Sequence, residues 1–316
     1  MNRQSFGTIG VLMGGCSSER EISLRSGQAV ADALSQEGHR VLPLDITTDD
    51  AAQIIRQIQA IPLDIVFIAL HGRMGEDGVI QGILEKLEIP YTGSGVKANQ
   101  MAFNKILTQK ALQSAGLPVA THYCITDGRN VDFKTAWDHI KSTPLVVKPA
   151  CEGSSIGVHM VRHPSEWEQA FKNALSYGPQ IIIEQFIKGR EFTAGIFDCS
   201  ALPLVEICPN SNFFNFTAKY QKGASQYICP AEIPENLTCK IKELSLSAAK
   251  ILGCEEFSRV DLRVDDNGQP FILEVNTIPG FTGTSLFPKA AREAGYSFVQ
   301  VCEKLLDLAY DKKIRR

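Results

Sequence analysis

The residues with the clearest chemical potential lie in one C-terminal stretch, RVDLRVDDNGQPFILEVNTIPGFTGTSL, residues 259–286. Two β-type runs, FSRVDLRV and QPFILEVN, flank Asn267-Gly268, a pair that favours a tight two-residue type I′ turn. With that loop, Asp261 lies opposite Glu274 and Arg259 opposite Asn276. Side chains alternate along a strand, so all four project from one face of the ribbon. Two carboxylates and an amide oxygen converging there suit a hard cation such as Mg²⁺, with phosphate oxygens and water completing its octahedron. Without an ion, facing acids repel, unless Arg259 and Arg263 pair with them on a solvated face. The sequel IPGFTGTSL favours the ion, because its glycines let backbone N–H groups approach an anion closely.

Three lysines have a matching context. Lys148 ends the hydrophobic run PLVVKP just before the glycine–serine loop ACEGSSIGV. Lys105 lies in the helical stretch MAFNKILTQKALQSA, and Lys219 in a long aromatic segment, SNFFNFTAKYQKGASQYICPAEIPEN, without helical or strand period. Lysine is a mobile point charge suited to phosphate oxygens, and the SSIG loop can add backbone and hydroxyl donors. Together with the carboxylate hairpin they describe a Mg²⁺–nucleotide site. The pattern GxxxxGK[ST] is absent, so the phosphate cradle is of another design, and MGGCSSE does not fit the GxGxxG of a dinucleotide site. The unpatterned segment reads as a lid or a disordered insert.

The elements that must position these groups follow from periodicity. Residues 7–95 read as a βαβ-type unit: strand TIGVLM, a helix with Ile22, Ser26, Ala29, Val30, Ala33 and Leu34 on its inner face, strand HRVLPLDI, a helix over 51–61 capped by Thr48, and a buried strand LDIVFIAL. Glu19 and His71 fall just past the carboxyl ends of strands, where open α/β sheets gather ligands. A second α+β unit follows to residue 187, with one helix through MAFNKILTQKALQSA and a Ser165–Glu168 capping box before EWEQAFKNALSY. Residues 188–316 form a strand-rich third unit with a helix over 237–252, the hairpin and a closing amphipathic helix.

Composition sets the outer limits. The chain has 316 residues, 44% of them hydrophobic and 21% charged, with a net charge of −3; these are globular values and offer no electrostatic footprint for nucleic acid or an anionic membrane. No apolar run approaches a membrane span, and the first residues lack a signal peptide's pattern, so a cytoplasmic protein is expected. The nine cysteines form no CxxC pair and read as reduced thiols. Cys151, in the glycine–serine loop, reads as a tolerated small residue.

MGGCSSEREISL, ALHGRMGEDG, PYTGSGV, VVKPACEGSSIGV, IIIEQFI with GREFT, AKY with QYICPA, and SRVDL with LEVNTIPGFTGTSL resemble the D-alanine–D-alanine ligase family of the ATP-grasp superfamily. The blocks come in family order from about Val11 to the final helix. The resemblance implies an α/β ATP-grasp fold with an N-terminal open-sheet substrate domain (1–96), a central lobe (97–187) and a C-terminal lobe with the lid and metal hairpin (188–316). It implies that Asp261, Glu274 and Asn276 hold two Mg²⁺ (or Mn²⁺) ions and that Lys105, Lys148 and Lys219 contact ATP phosphates. Glu184 with the backbone of Phe186 and Ile187 would receive adenine, and Glu191 the ribose. Glu19 would hold the ammonium of the first D-alanine in a network with Ser154 and Tyr220, with His71 near its carboxylate. Ser285 and the Leu286 N–H would hold the carboxylate of the second D-alanine, while Arg259 and the Gly280 N–H meet the tetrahedral oxyanion.

The implied reaction is ATP-dependent ligation of two D-alanines through a D-alanyl phosphate, for peptidoglycan precursors, in a cytoplasmic homodimer. Tyr220 argues by resemblance against the alternative, a D-alanine–D-lactate ligase. A non-catalytic ATP-binding protein of this fold would have lost a metal ligand or a phosphate lysine, and this chain retains them. Departures from the family pattern are small: Cys151 before Glu152, Phe186 where tryptophan is frequent, and Gly283 in TGTSL.

Overall fold

The computed structural model describes residues 6–209 and 225–315, with side chains through 312. In the first unit β1 (Thr8–Gly14), β2 (Arg40–Ile46) and β3 (Ile65–Ile68) form a parallel sheet in the order β2-β1-β3. Helices α1 (Arg20–Gln36) and α2 (Ala51–Gln59) make the crossovers, and α3 (Val79–Lys86) follows β3. The buried side of α1 is Ser23, Ser26, Gly27, Val30, Ala31 and Leu34; Ser26, Val30 and Leu34 are as expected, but the face is turned from Ile22, Ala29 and Ala33 toward Ser23, Gly27 and Ala31. Small residues are needed there because the Met13 side chain occupies the space a Cβ on Gly27 would take. The cap of α2 is Asp50, whose carboxylate accepts from the N–H groups of Ala52 and Gln53; Thr48 instead accepts from Asp50 N–H.

The stretch expected as one helix is two, α4 (Val96–Phe103) and α5 (Lys105–Ser114). Asn104 ends the first in an extended conformation, and its side chain accepts from the N–H groups of Ile106 and Leu107. A short polar residue that competes for backbone donors caps a helix better than it continues one. The break starts α5 at Lys105, whose N–H donates to the Ala150 carbonyl at 2.9 Å.

The second sheet is antiparallel, β4 (His122–Ile125), β7 (Ile181–Gln185), β5 (Leu145–Pro149) and β6 (His159–Val161) in that spatial order. Helices α6 (Phe133–Ile140) and α7 (Trp167–Leu175) cover one face through Ile140, Trp167, Phe171, Val147 and Ile183. The expected Ser165–Glu168 box does not form. Pro164 begins a short 3₁₀ turn, and Glu166 accepts from the N–H groups of Arg162 and His163.

The third sheet runs β11 (Ser225–Ile228), β10 (Val205–Pro209), β8 (Gly189–Phe197), β12 (Phe257–Asp265), β13 (Pro270–Asn276), with β9 (Ser200–Ala201) beside β8. Helix α8 (Glu235–Leu252) lies on one face through Ile241, Ala248 and Leu252. Helices α9 (Leu286–Glu293) and α10 (Phe298–Arg315) share a second core that reaches Ile9, Val11, Ile65 and Phe67 of the first sheet. The end of the chain is thereby packed against its beginning.

The hairpin differs from expectation in one detail. Its loop has three residues, 266–268: Gly268 N–H donates to the Asp265 carbonyl, Asp265 N–H donates to that of Gln269, and Gly268 has φ +79°. This is the turn-plus-left-handed-glycine form of a three-residue loop. A bulge at Leu273 then returns the register, so that Asp261 still pairs with Glu274 and Arg259 with Asn276.

Candidate active site

Asp261 sits at the centre of β12, almost wholly buried, paired with Thr193 of β8 on one side and Glu274 of β13 on the other. Its carboxylate accepts from Thr193 Oγ1 at 2.6 Å, from Arg259 Nε and Nη2 at 2.8 and 2.7 Å, and from Asn276 Nδ2 at 3.3 Å. With its nitrogen on Asp261, the Asn276 amide has its oxygen left for another partner. Glu274 faces Lys105, with Oε2 3.2 Å from Nζ. The Arg259–Asp261 pairing envisaged from sequence is therefore formed, but in a buried site rather than on a solvated face. No group of three His, Cys, Asp or Glu side chains able to hold a metal occurs among the described residues. The available set is two carboxylates and one amide, all oxygen donors, which fits a hard divalent cation whose remaining positions go to phosphate oxygens and water.

Lys105 Nζ also donates to the Glu152 carbonyl at 2.6 Å. Burial works against its charge, but the charge and hydrogen bond of Glu274 outweigh burial and hold the lysine above its ordinary pKa. The start of α5 thus joins the acidic hairpin to the glycine–serine loop. In that loop Ser154 and Ser155 have φ of +53° and +60°, a left-handed conformation costly for residues with a Cβ and typical of functional loops. Ser154 Oγ donates to Glu19 Oε1 in a short hydrogen bond. Glu19 is buried at the start of α1, and Gly153 and Gly72 approach its carboxylate so closely that a Cβ on either would collide with it.

Lys148 points from β5 to Glu184 on the adjacent β7, with Nζ 2.6 Å from Oε2. Both are buried, and Glu184 Oε1 has no hydrogen-bond partner among the described residues. A buried carboxylate oxygen without a donor is costly, so this atom marks the place of a ligand N–H. Lys105, Lys148, Glu184, Phe186, Ile187 and Glu191 line one pocket, with Asp261 and Glu274 at its end. Arg263, which sequence reasoning left as a surface charge, closes the same pocket. Its guanidinium lies over the Phe186 ring at 4.8 Å, donates to the Gly189 carbonyl at 2.7 Å and stands 3.5 Å from Glu191. Burial holds its pKa below the usual arginine value, with Glu191 opposing.

Past Asn276 the chain turns through Gly280 to Ser285, the N-cap of α9. Ser285 Oγ accepts from Thr282 N–H at 3.1 Å, and a Cβ on Gly280 would lie 3.3 Å from it. Leu286 contributes a first-turn N–H, and helix N-termini suit carboxylates. Arg292 Nη2 donates to the Gly283 carbonyl at 2.6 Å, which ties down this turn. His71 is buried with both ring nitrogens on protein: Nε2 is 3.0 Å from Ser26 Oγ and Nδ1 3.0 Å from the Ile278 carbonyl.

Lys219 and Tyr220 lie outside the described residues. Thr193 and the site contacts of Ser26 and Arg263 are what sequence reasoning missed; each depends on which strand or loop lies alongside, which periodicity does not report. All nine cysteines are unbridged, and burial raises the Cys151 pKa, with Lys105 opposing. The thiol is held in its less reactive form.

A four-stranded and a six-stranded lobe gripping a lysine-lined pocket, with facing acids at its end, define an ATP-grasp fold. Family models described as the D-ala D-ala ligase N-terminus and C-terminus match residues 8–60 and 50–94, and 111–307, respectively. The D-alanine–D-alanine ligase of Geotalea uraniireducens is 46% identical over 302 residues, covering 95% of each chain. Among solved structures, the Bacillus anthracis D-alanine–D-alanine ligase complexed with ATP is 30% identical with a TM-score of 0.85, covering 98% of this chain and 99% of its own. The VanG D-Ala:D-Ser ligase of Enterococcus faecalis is 29% identical with a TM-score of 0.82, covering 97% and 100%. The chain belongs to the D-ala D-ala ligase family.

Proposed function

We propose that this enzyme joins two molecules of D-alanine to D-alanyl-D-alanine at the expense of ATP, a step in making peptidoglycan precursors. The observation that carries the nucleotide half of this reading is the buried Lys148–Glu184 pair with its unpartnered Glu184 Oε1. That oxygen is an acceptor for the adenine amino group, and Lys148 is left to face phosphate. The N–H groups of Phe186 and Ile187 frame the base, and Glu191, steadied by Arg263, accepts the ribose hydroxyls. Lys105 spans the phosphates and the acids, with Lys219 as a further phosphate contact.

Asp261, Glu274 and Asn276 would hold two Mg²⁺ or Mn²⁺ ions, which when bound neutralise charge on the phosphate oxygens. Glu19, fixed by Ser154 and, in this reading, Tyr220, anchors the ammonium of the first D-alanine. Its carboxylate oxygen takes the γ-phosphoryl group as the bond to ADP breaks, giving an acyl phosphate. Ser285 and the Leu286 N–H orient the second D-alanine, whose amine attacks the activated carbonyl. A C–N bond forms, the amine gives up its proton, and phosphate departs with its C–O bond. Arg259 and the Gly280 N–H stabilise the oxyanion between those events. Exclusion of water protects the acyl phosphate.

The same reading takes residues 1–96 as the substrate domain, 97–187 and 188–316 as the two lobes, and a cytoplasmic homodimer as the working form. No helix among the described residues is long and apolar enough to cross a membrane. Sedimentation of the purified protein tests the dimer. The reaction is tested by turnover of Mg²⁺-ATP with D-alanine, following ADP and dipeptide together. Equal amounts of both are expected. ADP without dipeptide overturns the choice of second substrate, for which D-lactate and D-serine are the competing acceptors. Tight ATP binding without ADP overturns catalysis altogether.

A further inference from the structure

We propose that Ser26 is a positioning residue for the oxyanion donor at Gly280, acting through hydrogen bonds that pin the peptide planes on either side of it. The inference rests on the reaction proposed above and concerns what holds its second step in register.

Ser26 lies on the inner face of α1 and is fully buried. Its Oγ accepts from the Phe281 N–H at 3.1 Å, and its hydroxyl is then free to donate to His71 Nε2 at 3.0 Å. The other ring nitrogen, Nδ1, is 3.0 Å from the Ile278 carbonyl. A carbonyl only accepts, so Nδ1 carries the proton and Nε2 is the acceptor; the two partners fix the tautomer between them. With a neutral ring, each donor in this chain has one acceptor.

The consequence falls on the residues between the pinned groups. The Ile278 carbonyl belongs to the peptide plane before Pro279, and the Phe281 N–H to the plane after Gly280. The plane between them carries the Gly280 N–H, which has no hydrogen-bond partner among the described residues. Glycine alone leaves such a plane free to rotate. With the proline ring limiting φ on one side and both flanking planes held, the N–H keeps one direction. Just upstream, Thr277 Oγ1 donates to Asn99 Oδ1 at 2.5 Å, and Asn99 Nδ2 donates to the Ser94 and Gly95 carbonyls. The segment after β13 is thus held at residues 277, 278 and 281 by groups outside the hairpin.

Helix α1 gives this arrangement its purpose. Glu19, the proposed ammonium anchor, stands at the N-cap of α1, and Ser26 follows two turns later. Seven residues apart, they share one side of the helix. One rigid element therefore sets the distance between the first D-alanine and the donor that must meet its carbonyl oxygen when the amine attacks.

The test is Ser26→Ala, with Ser26→Cys as a second variant that keeps a weak donor in nearly the same volume. ADP, phosphate and dipeptide are measured together under saturating D-alanine and Mg²⁺-ATP. Loss of one oxyanion donor costs about a hundredfold or more; a misdirected donor is expected to lower dipeptide kcat by about tenfold. ADP formation falls less, because the acyl phosphate still forms and water then cleaves it to D-alanine and phosphate. The expected result is ADP in excess of dipeptide in Ser26→Ala, a smaller excess in Ser26→Cys, and an unchanged KM for ATP. If ADP and dipeptide fall together, or neither changes, the assignment is overturned. If the unsubstituted enzyme makes no dipeptide from D-alanine, the reaction itself is overturned, and this assignment with it.

Discussion

Asp261 and Glu274 face each other across β12 and β13 immediately beyond a bulge at Leu273. The bulged residue is not loose: its carbonyl accepts from the buried Gln109 Nε2 at 2.8 Å. The pair is therefore set in register by a contact from α5, the helix that also supplies Lys105. Replacing Glu274 with Gln keeps the shape and removes one anionic donor from the face. Mg²⁺-dependent ADP formation is expected to fall by about a thousandfold or more, with little change in the melting temperature. Near-normal turnover in that variant would sink the shared metal face.

Glu184 gives a separate test of the nucleotide end. With Oε2 on Lys148 and Oε1 unpartnered, the carboxylate holds one acceptor for a ligand. In Glu184→Gln one of those acceptors becomes a donor, which repels either the lysine or an adenine amino group. The KM for ATP is expected to rise by about tenfold, a loss of about 1.4 kcal/mol in binding, while kcat changes less. A variant whose KM for ATP stays at the parent value excludes the adenine role.

How much of this was legible beforehand can be judged at particular residues. The strands carrying Lys148 and Glu184 were legible as short continuous runs of Val and Ile, and that of Asp261 by its alternation. The hairpin pairing came out right at Asp261 although the loop assumed was one residue too short, because the bulge at Leu273 cancels the difference. The break at Asn104 was hidden by helix-favouring residues on both sides, and only its local capping bonds reveal it. Thr193 and Ser26 were illegible as site neighbours. Their importance depends on which strand lies beside β12 and which loop lies under α1, and neither leaves a mark on local sequence.

The junction of first and last elements carries a titrating group. Glu256 accepts from the Gly93 N–H at 2.6 Å and lies 2.6 Å from Lys312 Nζ of α10. Burial pushes its pKa up to about 7, against an ordinary value of 4.5, with Lys312 opposing. A raised folded-state pKa means that the native protein binds the proton more tightly than the unfolded chain. Its contribution to stability is full below about 4.5 and is lost as pH rises to about 7. In Glu256→Gln that slope is absent. The difference in unfolding free energy between the two proteins should change across this window and level off above it. A difference that is flat from pH 4 to 8 contradicts the shift.

The end of α3 offers a stability test away from the site. The Ile89 N–H donates to the Leu84 carbonyl and the Glu88 N–H to that of Glu85, both at 3.1 Å. This is the Schellman pattern, in which the residue after the cap is left-handed and is usually glycine. Here it is the exposed Glu88, with φ +56°. A residue with a Cβ pays about 1 kcal/mol or more for that conformation, while glycine costs something in the unfolded chain. The net for Glu88→Gly is a gain of about 0.5–1 kcal/mol, with turnover unchanged. Thermal unfolding at one pH measures it, and a lower melting temperature in the variant would mean that the carboxylate contributes more to this turn than its backbone costs.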